Sequence, residues 1–170
     1  MAINENAVTD TLTPTTGTLN ISGNLTVSGT FPINNGPAFS VWANTATNTA
    51  TGTQTKVVFN TVEFDTNSNY STANNRFTPT VAGYYQINAS VFAAGYATQI
   101  TYIFKNGSEY KRTGQQTGAY LQGIPISSLV YCNGSTDYIE IYWYQASGST
   151  VNSGIGQSLT WFNGSMVRSA

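Results

Sequence analysis

Glu63 and Asp65 stand two residues apart, a spacing that puts both carboxyls on one face of a strand. Asp137 and Glu140 flank the start of a second extended segment. A carboxyl pair can supply the acid and base of glycoside hydrolysis, provided a cleft holds the two roughly 5–9.5 Å apart. On an open strand face the same pair is only solvated polarity, and that reading is preferred. The chain has no histidine, which removes Ser-His-Asp and Cys-His activation, imidazole metal sites and the commonest general base. The single Cys132 excludes an internal disulfide and reads as a small buried residue beside the Asn133-Gly134 turn. No acid-rich loop of the DxDxDG kind occurs. The expectation is therefore no catalytic group, no metal and no cofactor.

What remains is a chain built to fold and to touch. Charged residues make up 8%, against roughly 25% in an average soluble protein. Low charge can signal disorder, but disorder also needs few aromatics and β-branched residues, and aromatics here reach 13%. Thr, Val, Ile, Tyr, Phe and Trp suit a pleated surface, and the abundant Asn and Gly suit turns. The class is all-β. A net charge of −1 with scattered Lys and Arg gives no case for nucleic acid. No apolar run approaches the roughly 20 residues of a membrane span. The opening MAINENAVTD has neither the basic nor the apolar region of a secretory signal. Without one, the many Asn-x-Ser/Thr triplets are by-products of composition.

Two regions are expected, 1–36 and 37–170. The first carries a short repeat, GTLNIS then GNLTVS then Gly29, which spaces Leu19 from Leu25 and Ile21 from Val27 by the same six residues as its glycines. Each unit offers two apolar residues at strand period and a Ser-Gly turn signal. Such a hairpin is marginal alone, and partners for it are best sought in other copies of the chain. The region reads as a β-rich stem, with PINNGP as a hinge; a hairpin packed on the main region is the alternative.

In the second region, Ala38 to Trp42 reads as a strand and Ala43 to Thr55 as a long low-complexity loop. Strands follow at Val57–Phe64, Arg76–Thr80, Gly83–Ala93, Ile100–Lys105, Glu109–Thr113, Ile124–Cys132, Asp137–Gln145 and Ser158–Val167. Asn106-Gly107 and Asn133-Gly134 are the strongest short hairpin signals. Many short strands with close turns argue for a sandwich or jelly roll.

Phe59, Asp65, Tyr70, Phe77, Gly83 and Tyr85 match, spacing for spacing, the signature of the globular head of complement component one, subcomponent q. The row FNTVEFDTNSNYSTANNRFTPTVAGYYQINASV thus resembles that family, although Ile87 and Ala89 stand where it has aromatics. KNGSEY and TWFNGSMV resemble two more of its strands. The resemblance implies a ten-stranded jelly-roll sandwich, related to tumour necrosis factor and assembled as a homotrimer. Phe59, Tyr70, Phe77 and Tyr85 are then core residues. Gly83 is expected to allow a positive φ or a close backbone approach. After it, Tyr85, Ile87, Ala89 and Val91 should face one way, and Tyr84, Gln86, Asn88, Ser90 and Phe92 the other. The family's collagen stem is absent; units such as GNLTVSGT resemble shaft segments of bacteriophage fibres instead.

Along DYIEIYWYQ, alternation assigns Ile139, Ile141 and Trp143 to the interior. Tyr138, Glu140, Tyr142 and Tyr144 then form an outward set with the composition of a trimer interface, and the resemblance implies a strand in the sheet nearest the threefold axis. The functional expectation is a virion structural protein, a head fibre or capsid decoration of a bacteriophage, exposed on the particle and attached to another virion protein through its stem. The alternative is the receptor-binding tip of a tail fibre gripping a host surface glycan or protein. Neither reading involves an enzyme, nucleic acid or membrane insertion.

Overall fold

A computed structural model describes residues 36–93, 97–113, 116–118 and 122–170. The expected stem, with Leu19, Ile21, Leu25 and Val27, lies outside the described residues. In chain order the strands are β1 (Ala38–Trp42), β2 (Asn48–Thr49), β3 (Gln54–Lys56), β4 (Thr61–Asp65), β5 (Tyr70–Ser71), β6 (Arg76–Phe77) and β7 (Ala82–Ala93). They continue with β8 (Ala97–Lys105), β9 (Ser108–Arg112), β10 (Gln116–Gly118), β11 (Gln122–Asn133), β12 (Ile139–Gln145), β13 (Val151–Asn152) and β14 (Trp161–Ser169). No helix occurs among the described residues.

Two antiparallel sheets face each other. One has the order β11-β7-β14-β1-β4; the other runs β10-β8-β12-β6-β5, with β3 on β12 and β9 on β8. The sandwich is all-β with jelly-roll connections, and its ladder falls into more pieces than ten because several strands are only two residues long. Aromatics fill the space between the sheets. Phe39 stacks on Phe77 at 4.2 Å and meets Phe162 edge-on at 4.8 Å, pair geometries each worth roughly 0.5–1.5 kcal/mol beyond burial. Phe162 and Gly164 lie opposite Ala89 and Ile87. The aromatic missing at position 89 is thus replaced by Phe162 from the neighbouring strand, not by a void.

Along β7, Tyr85, Ile87, Ala89 and Val91 are fully buried and Tyr84, Gln86, Asn88 and Phe92 are not, as alternation expects, but Ser90 of the outward set is buried too. Gly83 serves a close approach, since a Cβ there would lie 2.5 Å from the Arg168 carbonyl. Asn106 and Gly107 are both left-handed, at φ 53° and 77°, and close the β8–β9 hairpin with the backbone of a type I′ turn.

Three expectations need correction. Asn133-Gly134 does not close a hairpin, because β11 pairs with β7 and β12 with β8, in different sheets. Asn133 Oδ1 instead accepts the amides of Ser135, Thr136 and Asp137. Gly134, at φ 72° and with no room for a Cβ against Ala82 N, carries the chain across. The stretch Ala43–Thr55 is not a plain loop, since it contains β2 and most of β3. Thr47 and Thr49 are buried in it, with the Thr47 amide donating to Ser153 Oγ. Finally, the expected Val57–Phe64 strand is paired only from Thr61 onward, and runs on to Asp65. Val57 and Phe59 are buried without a ladder.

Candidate functional site

Glu63 and Asp65 do not share a face. A β-bulge opposite Ser40 and Val41 makes Glu63 the extra residue of β4, and a bulge re-aims its side chain. Glu63 Oε2 accepts the Ser40 hydroxyl at 2.8 Å, and its Oε1 accepts Gln157 Nε2 at 2.6 Å. Asp65 lies opposite Phe39 and its Oδ2 accepts the Tyr70 amide at 2.7 Å. Tyr70 in turn donates its hydroxyl to the Phe59 carbonyl and stacks on Phe39. Burial pushes the Tyr70 phenol well above its ordinary pKa. Tyr85 is pushed up to about 12 by burial and by Cys132, and Cys132 up to about 11, chiefly by burial. The signature residues thus hold the core and one turn. Among the described residues, no three of His, Cys, Asp and Glu cluster as metal ligands.

The second carboxyl pair is spent on latches. Asp137 accepts Asn106 Nδ2 at 2.7 Å, Lys105 Nζ at 2.9 Å and the Asn133 amide at 3.0 Å. Burial raises its pKa, but these bonds and the Lys105 charge outweigh burial and hold the carboxyl below its ordinary range. Glu140 is only 5% exposed and pairs with Lys56 Nζ at 3.0 Å.

Trp143, Ile139 and Ile141 face the interior. Glu140, Tyr142 and Tyr144 lie on the other face of β12 and Tyr138 just before it, but intrachain partners already occupy them. Arg76 sits over the Tyr138 ring at 4.6 Å, and Tyr142 stacks on Phe104 at 4.0 Å. Tyr142 and Tyr144 pack on a second apolar cluster of Ile100, Tyr102 and Phe104. The strand belongs to the seven-stranded sheet, and its outward side is not a bare surface. Composition alone could not show this, because the partners come from β3, β6 and β8.

The bare surface lies across the sandwich. Of the exposed large apolar side chains, Val62, Phe64, Tyr84, Leu129, Tyr131 and Val167 belong to strands of the five-stranded sheet and are 41–54% exposed, whereas the seven-stranded sheet contributes Tyr110 on its edge strand β9. The sheet's outer face has three zones. At one end Tyr84 and Tyr131, with ring centroids 5.4 Å apart, join Leu129 and Val167 around an open cavity of about 720 Å³. Across the middle runs an amide belt. Gln86 Nε2 donates to Ser127 Oγ at 2.8 Å, Ser127 Oγ to Asn88 Oδ1 at 2.8 Å, and Asn88 Nδ2 to Asn163 Oδ1 at 3.1 Å. At the far corner Trp42 and Trp161 are directly paired, beside Glu63 and Gln157, around a cavity of about 250 Å³. Sequence reasoning missed this face. The available signal was two tryptophans at outward positions of strands whose neighbours point inward.

No family model matches the chain. The uncharacterised protein YqcC of Bacillus subtilis is 31% identical over 100 residues, which covers 53% of this chain and 27% of that protein. The matched region thus spans about a quarter of its curated relative. Among solved structures, murine APRIL superimposes with a TM-score of 0.62 at 8% identity, covering 78% of this chain and 99% of that one. The globular domain of zebrafish complement 1qA gives 0.55 at 18% identity, covering 79% and 99%. Eiger TNF from S. frugiperda gives 0.57 at 8% identity, covering 79% and 94%.

The fold is the jelly roll of the tumour-necrosis-factor and complement-q heads. Such identities show a shared fold and nothing finer. Within this jelly roll, Phe59, Phe77 and Tyr85 occupy the core, and Tyr70 packs against it.

Proposed function

We propose that this jelly roll is the head of a homotrimeric bacteriophage structural protein, a head fibre or capsid decoration, carried on its N-terminal stem. The observation that supports it best is where the bare apolar zone lies. Tyr84, Leu129, Tyr131 and Val167 form a patch that a second copy would cover, with aromatics at its centre. The head begins at the same end: Ala38 pairs with Ser165, and the Pro37 carbonyl accepts the Met166 amide. Three heads meeting through this zone would bring their first residues together near the axis, as a shared stem requires. The repeat Gly17–Thr30 and its likeness to phage shafts supply the rest of the reading. The interface is assigned to the five-stranded sheet, because Tyr138, Glu140, Tyr142 and Tyr144 already have partners in their own chain.

Light scattering on the purified protein should give about three times the 18.2 kDa chain mass. A chain lacking residues 1–36 should remain a folded trimer yet fail to join particles, and antibody against the head should label the capsid. A monomer at micromolar concentration would refute the trimer. Label confined to tail tips would favour the receptor-binding alternative.

A further inference from the structure

We infer that the corner formed by Trp42, Trp161, Glu63 and Gln157 is a binding site for a neutral saccharide. The corner is independent of the trimer reading, and needs only to stay outside the subunit contact. Along β14, Trp161 and Val167 are separated by about 20 Å at the rise of an extended strand, so the site is remote from the apolar zone. Trp42 and Trp161 face each other across β1 and β14, and both are partly exposed although strand positions around them are buried. Indole faces match the C–H faces of a pyranose, as large amphipathic rings suit a partner with apolar and polar sides.

The polar half of the site is built in advance. The bulge turns Glu63 onto this face, and one hydrogen bond on each carboxylate oxygen, from Ser40 and from Gln157, fixes it there. A carboxylate offers about four acceptor positions, so Glu63 retains two for sugar hydroxyls. Asn163 also lines the cavity, its amide oxygen held by Asn88, which aims its NH₂ group. A cavity of about 250 Å³ is smaller than the roughly 300–1,000 Å³ of drug-sized ligands and suits one ring of a chain end. The carboxylate selects against acidic sugars, since a second negative charge placed beside it would be repelled. No bond is broken in this role; Glu63 has no second carboxyl facing it, as Asp65 points elsewhere.

The test uses the whole chain in its assembled form. Methyl glycosides of glucose, galactose, mannose and N-acetylglucosamine, with methyl glucuronide as the acidic control, are titrated while tryptophan fluorescence and saturation-transfer NMR are recorded. At least one neutral glycoside should bind saturably with a Kd on the order of 1 mM, and the glucuronide about tenfold more weakly or not at all. Glu63→Gln and Trp161→Ala should each weaken binding about tenfold, the loss expected for a charge-assisted hydrogen bond or a ring contact. Glu63→Gln keeps the shape, its amide oxygen still accepting Gln157 Nε2 while its NH₂ donates to Ser40 Oγ in a reversed bond, so it reports even if Trp161→Ala does not fold. Absence of saturable binding to all four neutral glycosides by the native protein overturns the proposal. So does unchanged affinity in Glu63→Gln, or binding that appears only once the trimer is broken by Tyr131→Arg. Light scattering on the same samples scores the trimer separately.

Discussion

On the outer face of the seven-stranded sheet, Tyr142 stacks 4.0 Å from Phe104, Tyr102 is 3% exposed, and Glu140 is paired with Lys56. On the outer face of the five-stranded sheet, Tyr84 and Tyr131 lean on each other and remain 41% exposed. Both faces are rich in tyrosine, and a composition count would rank them alike. They differ in whether the chain supplies its own partners. A tyrosine already stacked and bonded gains little from a second subunit, whereas an exposed one still has apolar area to bury, at about 25 cal/mol per Å². The lesson is that an interface is recognised by unmet contacts, not by residue type.

The sharpest tests set the two faces against the core they share. Trp143 is fully buried between them, so Trp143→Ala should cost about 3–5 kcal/mol, a large share of a typical 5–15 kcal/mol. Its melting point should fall equally at every protein concentration. Tyr131→Arg should act on assembly instead. It places a cation in each copy of the apolar zone, at a cost near the 2 kcal/mol or more of an interface hot spot. Melting then becomes strongly dependent on concentration, and the mass falls toward that of one chain. Tyr142→Arg should lose the stacking on Phe104, worth about 0.5–1.5 kcal/mol, with part of the packing on Ile100 and Tyr102, and leave the mass unchanged. If Tyr142→Arg split the assembly and Tyr131→Arg did not, the assignment of the two faces would be reversed.

Much of the core was legible because strand alternation is a local code. The nine-residue row from Asp137 to Gln145 places Ile139, Ile141 and Trp143 inward, and they are 0–1% exposed. The Phe59-to-Tyr85 spacing was legible because each member has a job nearby: Asp65 holds the Tyr70 amide, and Gly83 admits the Arg168 carbonyl. The sheet to which Asp137–Gln145 belongs was not legible. An Asn-Gly step signals a tight turn, and only the fit of Gly134 against Val81 and Ala82 decides that the turn crosses between sheets. The low-complexity stretch hid Thr47 and Thr49 because their burial depends on partners distant in sequence: Ser153 Oγ accepts the Thr47 amide, and Gln145 Nε2 donates to the Thr49 carbonyl. The tryptophan corner depends on a bulge, which no period in the sequence announces.

The smallest expected effect concerns the latch that joins the two faces. Lys105 ends β8 in the seven-stranded sheet, yet its Nζ donates to the carbonyl of Tyr131 on β11, in the other sheet, at 2.8 Å. Asp137 holds that ammonium at 2.9 Å. The Asp137 carboxyl titrates below its ordinary value in the folded chain, because the bonds from Asn106, Lys105 and Asn133 outweigh the effect of burial. A folded pKa below the unfolded one means the latch contributes in full above the unfolded value. The contribution is then lost as pH falls through that value toward the folded one, from about pH 5 downward. Stability of the native chain, measured by urea unfolding, should therefore decline across that acid window. Asp137→Asn, which cannot titrate, should start less stable at neutral pH and decline less. Since the released lysine also supports Tyr131, acid should loosen the five-stranded face as well, and native mass should become dependent on concentration at the low end. Parallel pH curves for the two proteins would show that Asp137 is not the group that couples acid to either face.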